Sequence, residues 1–163
     1  MNLVIDADIA KSSGLTVHPV SSSSRSLLDK VISGNHNIYF CITLLAEWNK
    51  HQSSYTKRWR ASMYAKKKVV LVSHNDLIKT ALQALPQSKS QKAAVKDSHL
   101  VDIANLSGKT ILSNDITARS AISTLLSGSA LISGVYWISP LSDRNDIDVY
   151  VLSNKIIPKK HLL

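Results

Sequence analysis

Cysteine, glycine, proline and phenylalanine are all scarce in this chain. A single cysteine, Cys41, leaves no internal disulfide. That fits a reducing compartment, and a lone small thiol in an apolar run reads as a packing residue rather than a nucleophile. Five glycines and four prolines in 163 residues exclude collagen-like and long-linker architectures. No apolar run is long enough to span a bilayer, and no basic stretch followed by an apolar one marks a secretory leader. A strand that begins directly after Met1 leaves little room for a targeting segment, so a cytoplasmic location is expected. No Cys/His set has zinc-ligand spacing, which argues against a zinc centre.

Acidic residues are also in the minority. Twenty Lys and Arg stand against eleven Asp and Glu, a formal charge of +9. Such a field attracts polyanions, nucleic acid being the commonest, and an acidic protein partner or simple solubility are the other readings. The apolar fraction of 44% and the length predict one domain with a core of its own.

Leu3-Val4-Ile5 runs straight into Asp6-Ala7-Asp8, which reads as a buried strand with an acid at its carboxyl end. Residues 10–19 are loop-like. Ser21–Ser24 can cap a helix on which Leu27, Leu28, Val31 and Ile32 recur at helical spacing. Ile38–Ile42 is a second buried strand. Thr43 can cap the next helix, where Glu47 lies near the apolar side set by Leu44 and Trp48 or is a surface glutamate. From Tyr55 to Lys68 the bases Lys57, Arg58, Arg60, Lys66 and Lys67 interleave with Tyr55, Trp59 and Tyr64. This is either a nucleic-acid surface with stacking rings or an amphipathic helix with its aromatics in the core. Val69–Val72 is a strand or buried turn, and Asn75 or Asp76 caps a helix through Leu85. Residues 87–91 read as an exposed loop. In the helix over 93–106, Asp97, Leu100, Val101 and Ala104 share one face, so Asp97 is expected on the core side, Asp102 at the surface and His99 in solvent. Thr110–Ser113 is a strand that leads into Asp115, and 116–126 is a helix. Val135–Ile138 is a further strand, with Asp143 some way beyond it. The segment 143–163 reads as an extension, with an edge strand or a partner-binding segment at 147–152 and a basic tail.

Four carboxylates thus stand where a parallel sheet could gather them: Asp6 and Asp115 from strand ends, Glu47 and Asp97 from helices. If four of the eleven acids pool, only seven remain to offset the bases elsewhere. Clustered carboxylates repel one another. A hard divalent cation, Mg²⁺ or Mn²⁺, would neutralise them and could serve phosphodiester hydrolysis.

The stretches Val4-Ile5-Asp6-Ala7-Asp8, Ile42-Thr43-Leu44-Leu45-Ala46-Glu47, Lys96-Asp97-Ser98-His99-Leu100-Val101-Asp102-Ile103-Ala104 and Ile111-Leu112-Ser113-Asn114-Asp115 follow one another in the order and spacing of a known family. Over residues 2–140 the chain resembles the PIN-domain ribonucleases, most of all the VapC-type toxins of toxin–antitoxin pairs. The resemblance implies a three-layer α/β/α sandwich around a mostly parallel sheet of four or five strands, with a nuclease domain over 1–142. It implies that Asp6, Glu47, Asp97 and Asp115 hold Mg²⁺ or Mn²⁺ and that Ser113 supports them. Asp8 stands where the family usually has Asn, Ser or Thr, as an extra ligand or a hydrogen-bond acceptor. RNA is the implied substrate, and an antitoxin and a homodimer are the implied protein partners.

Two other readings fit parts of the sequence. A degenerate fold of this kind would bind RNA or protein without cutting. A haloacid-dehalogenase-like phosphatase also carries Asp-x-Asp after its first strand, but Ala10 stands where that family has Thr or Val.

Overall fold

Five short apolar runs become strands, and all five lie parallel. In the computed structural model, which describes residues Met1–Leu163, β1 (Asn2–Ile5), β2 (Asn37–Phe40), β3 (Val69–Leu71), β4 (Thr110–Leu112) and β5 (Tyr136–Ile138) form one sheet in the order β3-β2-β1-β4-β5. Central strands of such a sheet are covered on both faces. Leu3, Val4, Ile5 and the whole of β4 are accordingly buried, with Thr110 the one polar residue among them.

Seven helices fill the connections, α1 (Ala7–Ser12), α2 (Pro19–Ser33), α3 (Ile42–His51), α4 (Ser54–Ala65), α5 (Leu77–Gln83), α6 (Lys89–Leu106) and α7 (Ile116–Leu125), and α8 (Arg144–Asp146) follows β5. Right-handed crossovers put α1–α4 on one face and α5–α7 on the other, and the helices pack among themselves accordingly. The result is a three-layer α/β/α sandwich. Connections leave β1 toward β2 and leave β4 toward β5, in opposite directions. The carboxyl ends of β1 and β4 therefore flank the topological switch point, the crevice where open α/β sheets bind ligands. No helix is long and apolar enough to cross a membrane.

Several local expectations are corrected. Residues 10–12 are helical rather than loop, the second half of α1, which Asp6 itself caps. Helix α2 starts at Pro19, whose fixed φ suits a first helical position. Cys41, not Thr43, precedes α3, and its buried Sγ accepts the Leu44 N–H at 3.4 Å. Helix α6 starts at Lys89 behind the Ser88 cap, so the exposed loop is shorter than expected. The segment 144–151 is helical, a turn of α8 continuing into a π-turn at Ile147–Val151, not an edge strand. Ile147, Val149 and Val151 alternate as a strand would. Only Ile147 and Val151, four apart, are buried, and Val149 is 46% exposed, so the helical spacing decides. The tail also packs. His161 is buried, with Nε2 2.7 Å from an Asp146 oxygen, and Leu162 bridges antiparallel to Tyr136 on the edge of β5.

The two tryptophans of the first face tie helices to the sheet. Trp48 is fully buried, edge-on to Phe40, and its Nε1–H donates to the Ile5 carbonyl at 2.9 Å. It stacks on Trp59, whose Nε1–H donates to the Leu28 carbonyl at 2.6 Å. Gly108, between α6 and β4, has no room for a side chain: a Cβ there would lie 2.4 Å from the Asn2 carbonyl oxygen. Replacing Trp48 by Ala is expected to lower unfolding free energy by about 3–5 kcal/mol, the usual range for a buried aromatic, read from urea denaturation.

Candidate functional site

Asp6, Asp8, Glu47, Asp97 and Asp115 line a single cavity of about 210 Å³, together with Lys11, His51 and Lys96. Asp6 leaves the end of β1 as the cap of α1, and Asp115 follows β4 as the cap of α7, its Oδ1 accepting the Ala118 N–H at 2.8 Å. The cavity thus sits at the switch point of the sheet. Glu47 comes from α3, held near β1 by the neighbouring Trp48, and Asp97 from the buried side of α6. Asp143 does not line the cavity. Its Oδ2 accepts the Ser139 N–H instead.

Ser113 couples the two strand ends. Its fully buried hydroxyl donates to Asp6 Oδ2 at 2.7 Å and accepts the Asp115 N–H at 3.0 Å. Asp8 anchors the same loop, Oδ2 accepting the Asn114 N–H at 2.8 Å, while its Oδ1 is buried with no partner. Asn114 in turn accepts from the Ser139 hydroxyl and the Leu141 N–H, which ties the cavity wall to the chain after β5.

His99 corrects an expectation. It is 4% exposed, not solvated, and its Nε2 lies 3.3 Å from Glu47 Oε2, off the line of a well-formed hydrogen bond. Burial favours neutral imidazole, but Glu47, Asp6 and Asp97 outweigh it and hold the His99 pKa above its ordinary value. Burial would raise Glu47, but His99, Lys96 and His51 hold its pKa down.

Asp6, Asp8 and Asp97 move upward. Burial, against a partial offset from Ser113, raises Asp6. Burial and the neighbouring Asp6 charge push Asp8 up to about 8. The same two causes push Asp97 up to about 6, although the Lys96 Nζ lies 3.5 Å from its Oδ1. Lys96 is mostly in water, with 70% of its side chain exposed, and supplies only a partial counter-charge.

Asp102 is also misplaced by sequence reasoning. It is buried rather than superficial, and burial raises its pKa. His74, Asp76 and Asp102 are the one set of three His or acid side chains whose ligating atoms all lie within 4.8 Å of one another, a group that could hold a metal ion. The cavity acids face one space without being drawn that close.

Of the basic stretch, Lys57, Arg58, Lys66 and Lys67 are exposed, while Arg60 is half-buried and donates to Asn49 at 2.6 Å. Trp59 belongs to the core and offers no face for stacking on a base. Tyr55 is half-buried against Asp29, and Tyr64 is 44% exposed.

Two outcomes follow from these contacts. Ser113→Ala strands the Asp115 N–H and removes a donor from Asp6, and is expected to destabilise the fold by about 1–3 kcal/mol in denaturant titration. Asp8 and Asp97 bind protons more tightly folded than unfolded. The stability they contribute is fully present below their ordinary value near 3.8 and is lost as pH rises through about 6 and about 8. In EDTA, the melting temperature should fall between about pH 4 and about pH 8, and Asp97→Asn should flatten the part of that fall below about pH 6. No protein-family model matches this chain, and no curated protein matches it either.

Proposed function

We propose that this protein is a metal-dependent endoribonuclease of the PIN-like kind, hydrolysing RNA phosphodiester bonds. The observation that carries this reading is the convergence of five carboxylates from four separate chain segments on one cavity at the switch point of a parallel sheet. The donor set fits a hard cation: all-oxygen ligands, pKa values raised at Asp6, Asp8 and Asp97, and an Asp8 oxygen buried without a partner. Asp6, Glu47, Asp97 and Asp115, with Asp8, would hold Mg²⁺ or Mn²⁺. A cation of this class, when bound, activates water and balances charge on a phosphoryl oxygen.

The chain's own residues do the rest. Ser113 fixes Asp6 relative to Asp115, so the two strand-end acids move as one unit. His99, buried 3.3 Å from the partly exposed Glu47 carboxylate, balances its charge. Lys11, His51 and Lys96 stand at the cavity and offset the charge of an approaching phosphate. The exposed Lys57, Arg58, Lys66 and Lys67 extend the positive field that gathers RNA.

The test is cleavage of a labelled structured RNA with Mg²⁺, Mn²⁺ or EDTA. Wild type should cut only with metal, and Asp97→Asn should not cut. His99→Gln, which leaves all five acids in place, should cut about 10–100-fold more slowly. Replacing Lys57 and Lys66 by Ala should leave the chemistry intact. It should also make the plot of log affinity for RNA against log salt shallower, by about 0.7 for each phosphate no longer neutralised. Tight RNA binding without cutting under any metal would overturn the assignment in favour of a binding module. Turnover of small phosphoesters alone would favour a phosphatase.

A further inference from the structure

We propose a second metal site, for a zinc-class divalent ion, formed by His74 and Asp76 of the β3–α5 loop and Asp102 of α6. It is independent of the nuclease reading. The His74 Nδ1 lies 3.1 Å from Asp76 Oδ1 and 3.9 Å from Asp102 Oδ2, and all three donor atoms fall within 4.8 Å. A tetrahedral ion with bonds of about 2.1 Å spaces its ligand atoms about 3.4 Å apart, between the two separations observed.

The independent observation is the state of Asp102. Its side chain is 5% exposed. One oxygen, Oδ1, accepts the Ile78 N–H at 3.2 Å and so caps α5 from a neighbouring helix. The other, Oδ2, is buried without any hydrogen-bond partner and faces His74. A buried carboxylate oxygen left bare is costly, and a cation removes that cost. Because Asp102 caps α5, Asp76, which occupies the cap position, makes no capping bond with its side chain. Its carboxylate is turned to His74 instead. The Asp76 N–H also lies 3.4 Å from His74 Nδ1, a contact that a metal ion bound at that nitrogen would replace.

One imidazole nitrogen with two carboxylates suits zinc and its neighbours better than magnesium. An adjoining space of about 90 Å³, lined by Ser73, Asn75 and Asn105 beside His74 and Asp102, has room for a water as fourth ligand. Asp102 lies five residues beyond Asp97 on α6, about 7.5 Å along the axis and on a different side of the helix. Bound metal would clamp the loop to α6 and brace the helix that carries Asp97 and His99. Spacing along the chain did not reveal this set, because its third member comes from a distant helix.

The test uses full-length protein carrying Asp6→Asn and Asp97→Asn, so that the acidic cavity is disarmed. After EDTA treatment and dialysis, Zn²⁺ is titrated calorimetrically, and Co²⁺ is titrated with its visible absorption recorded. One equivalent of Zn²⁺ should bind and raise the melting temperature, and Co²⁺ added to the metal-free protein should give the absorption of a four-coordinate site, which Zn²⁺ then bleaches. His74→Ala, a loop change with little risk to folding, and Asp102→Asn should each weaken Zn²⁺ binding by about 10–100-fold or more. His74→Ala should also abolish the thermal shift. Zn²⁺ bound with unchanged affinity in His74→Ala, or no Zn²⁺ bound at all, would overturn the site and leave a proton shared between His74 and the two acids in its place.

Discussion

Asp6, Asp8 and Asp97 are carboxylates that have lost much of their water without gaining enough positive charge. That constraint shapes everything around them. Each oxygen that can be satisfied locally is: Ser113 serves Asp6, the Asn114 amide serves Asp8, and the first turn of α7 serves Asp115. The remaining imbalance appears as raised pKa values and a bare Asp8 oxygen. A fold optimised for stability alone would dispense with such a group, since replacing buried charges by well-packed apolar residues is commonly neutral or better.

The sheet explains why these acids meet although they are far apart in sequence. Parallel strands all end on the same rim, so a residue just after β1 and one just after β4 become neighbours once the two strands pair. Val4 against Ile111 and Ile5 against Leu112 set that register. The pairing carries Asp6 and Ser113 to within hydrogen-bonding distance without any help from loop length. Trp48 does the corresponding work for α3, since its indole N–H is committed to the last carbonyl of β1.

The strands, the longer core helices and the opening acid were legible because each is a local signal: a short apolar run, a 3.6-residue repeat, a carboxylate after a strand. Helix α6 shows where this kind of reading stops. A stripe argument assumes one buried side, and it placed Asp97 correctly. Yet residues 97–104 are buried without interruption, because α5, α7, α3 and the sheet surround the helix. His99 and Asp102 therefore lie against neighbours that no single-helix pattern contains. The same holds for 147–151, where alternation suggested a strand and packing against the core selected a helical turn. Trp59 resolved the other way: its ring was equally plausible in water or in the core, and the carbonyl of Leu28 gave its N–H a buried partner.

The strapping of the C-terminus across β5 has a consequence for self-association. Leu163 donates its amide to Val135, and Leu162 bridges to Tyr136, so that border of the sheet is already occupied. The opposite border, β3, ends in Leu71, 60% exposed, and is preceded by Lys66, Lys67 and Lys68. Lysines beside an open border discourage strand addition. With only one border left to offer, any two copies that did join there would use up the last free backbone groups of both. Growth would stop at a pair and could not run on into a fibre.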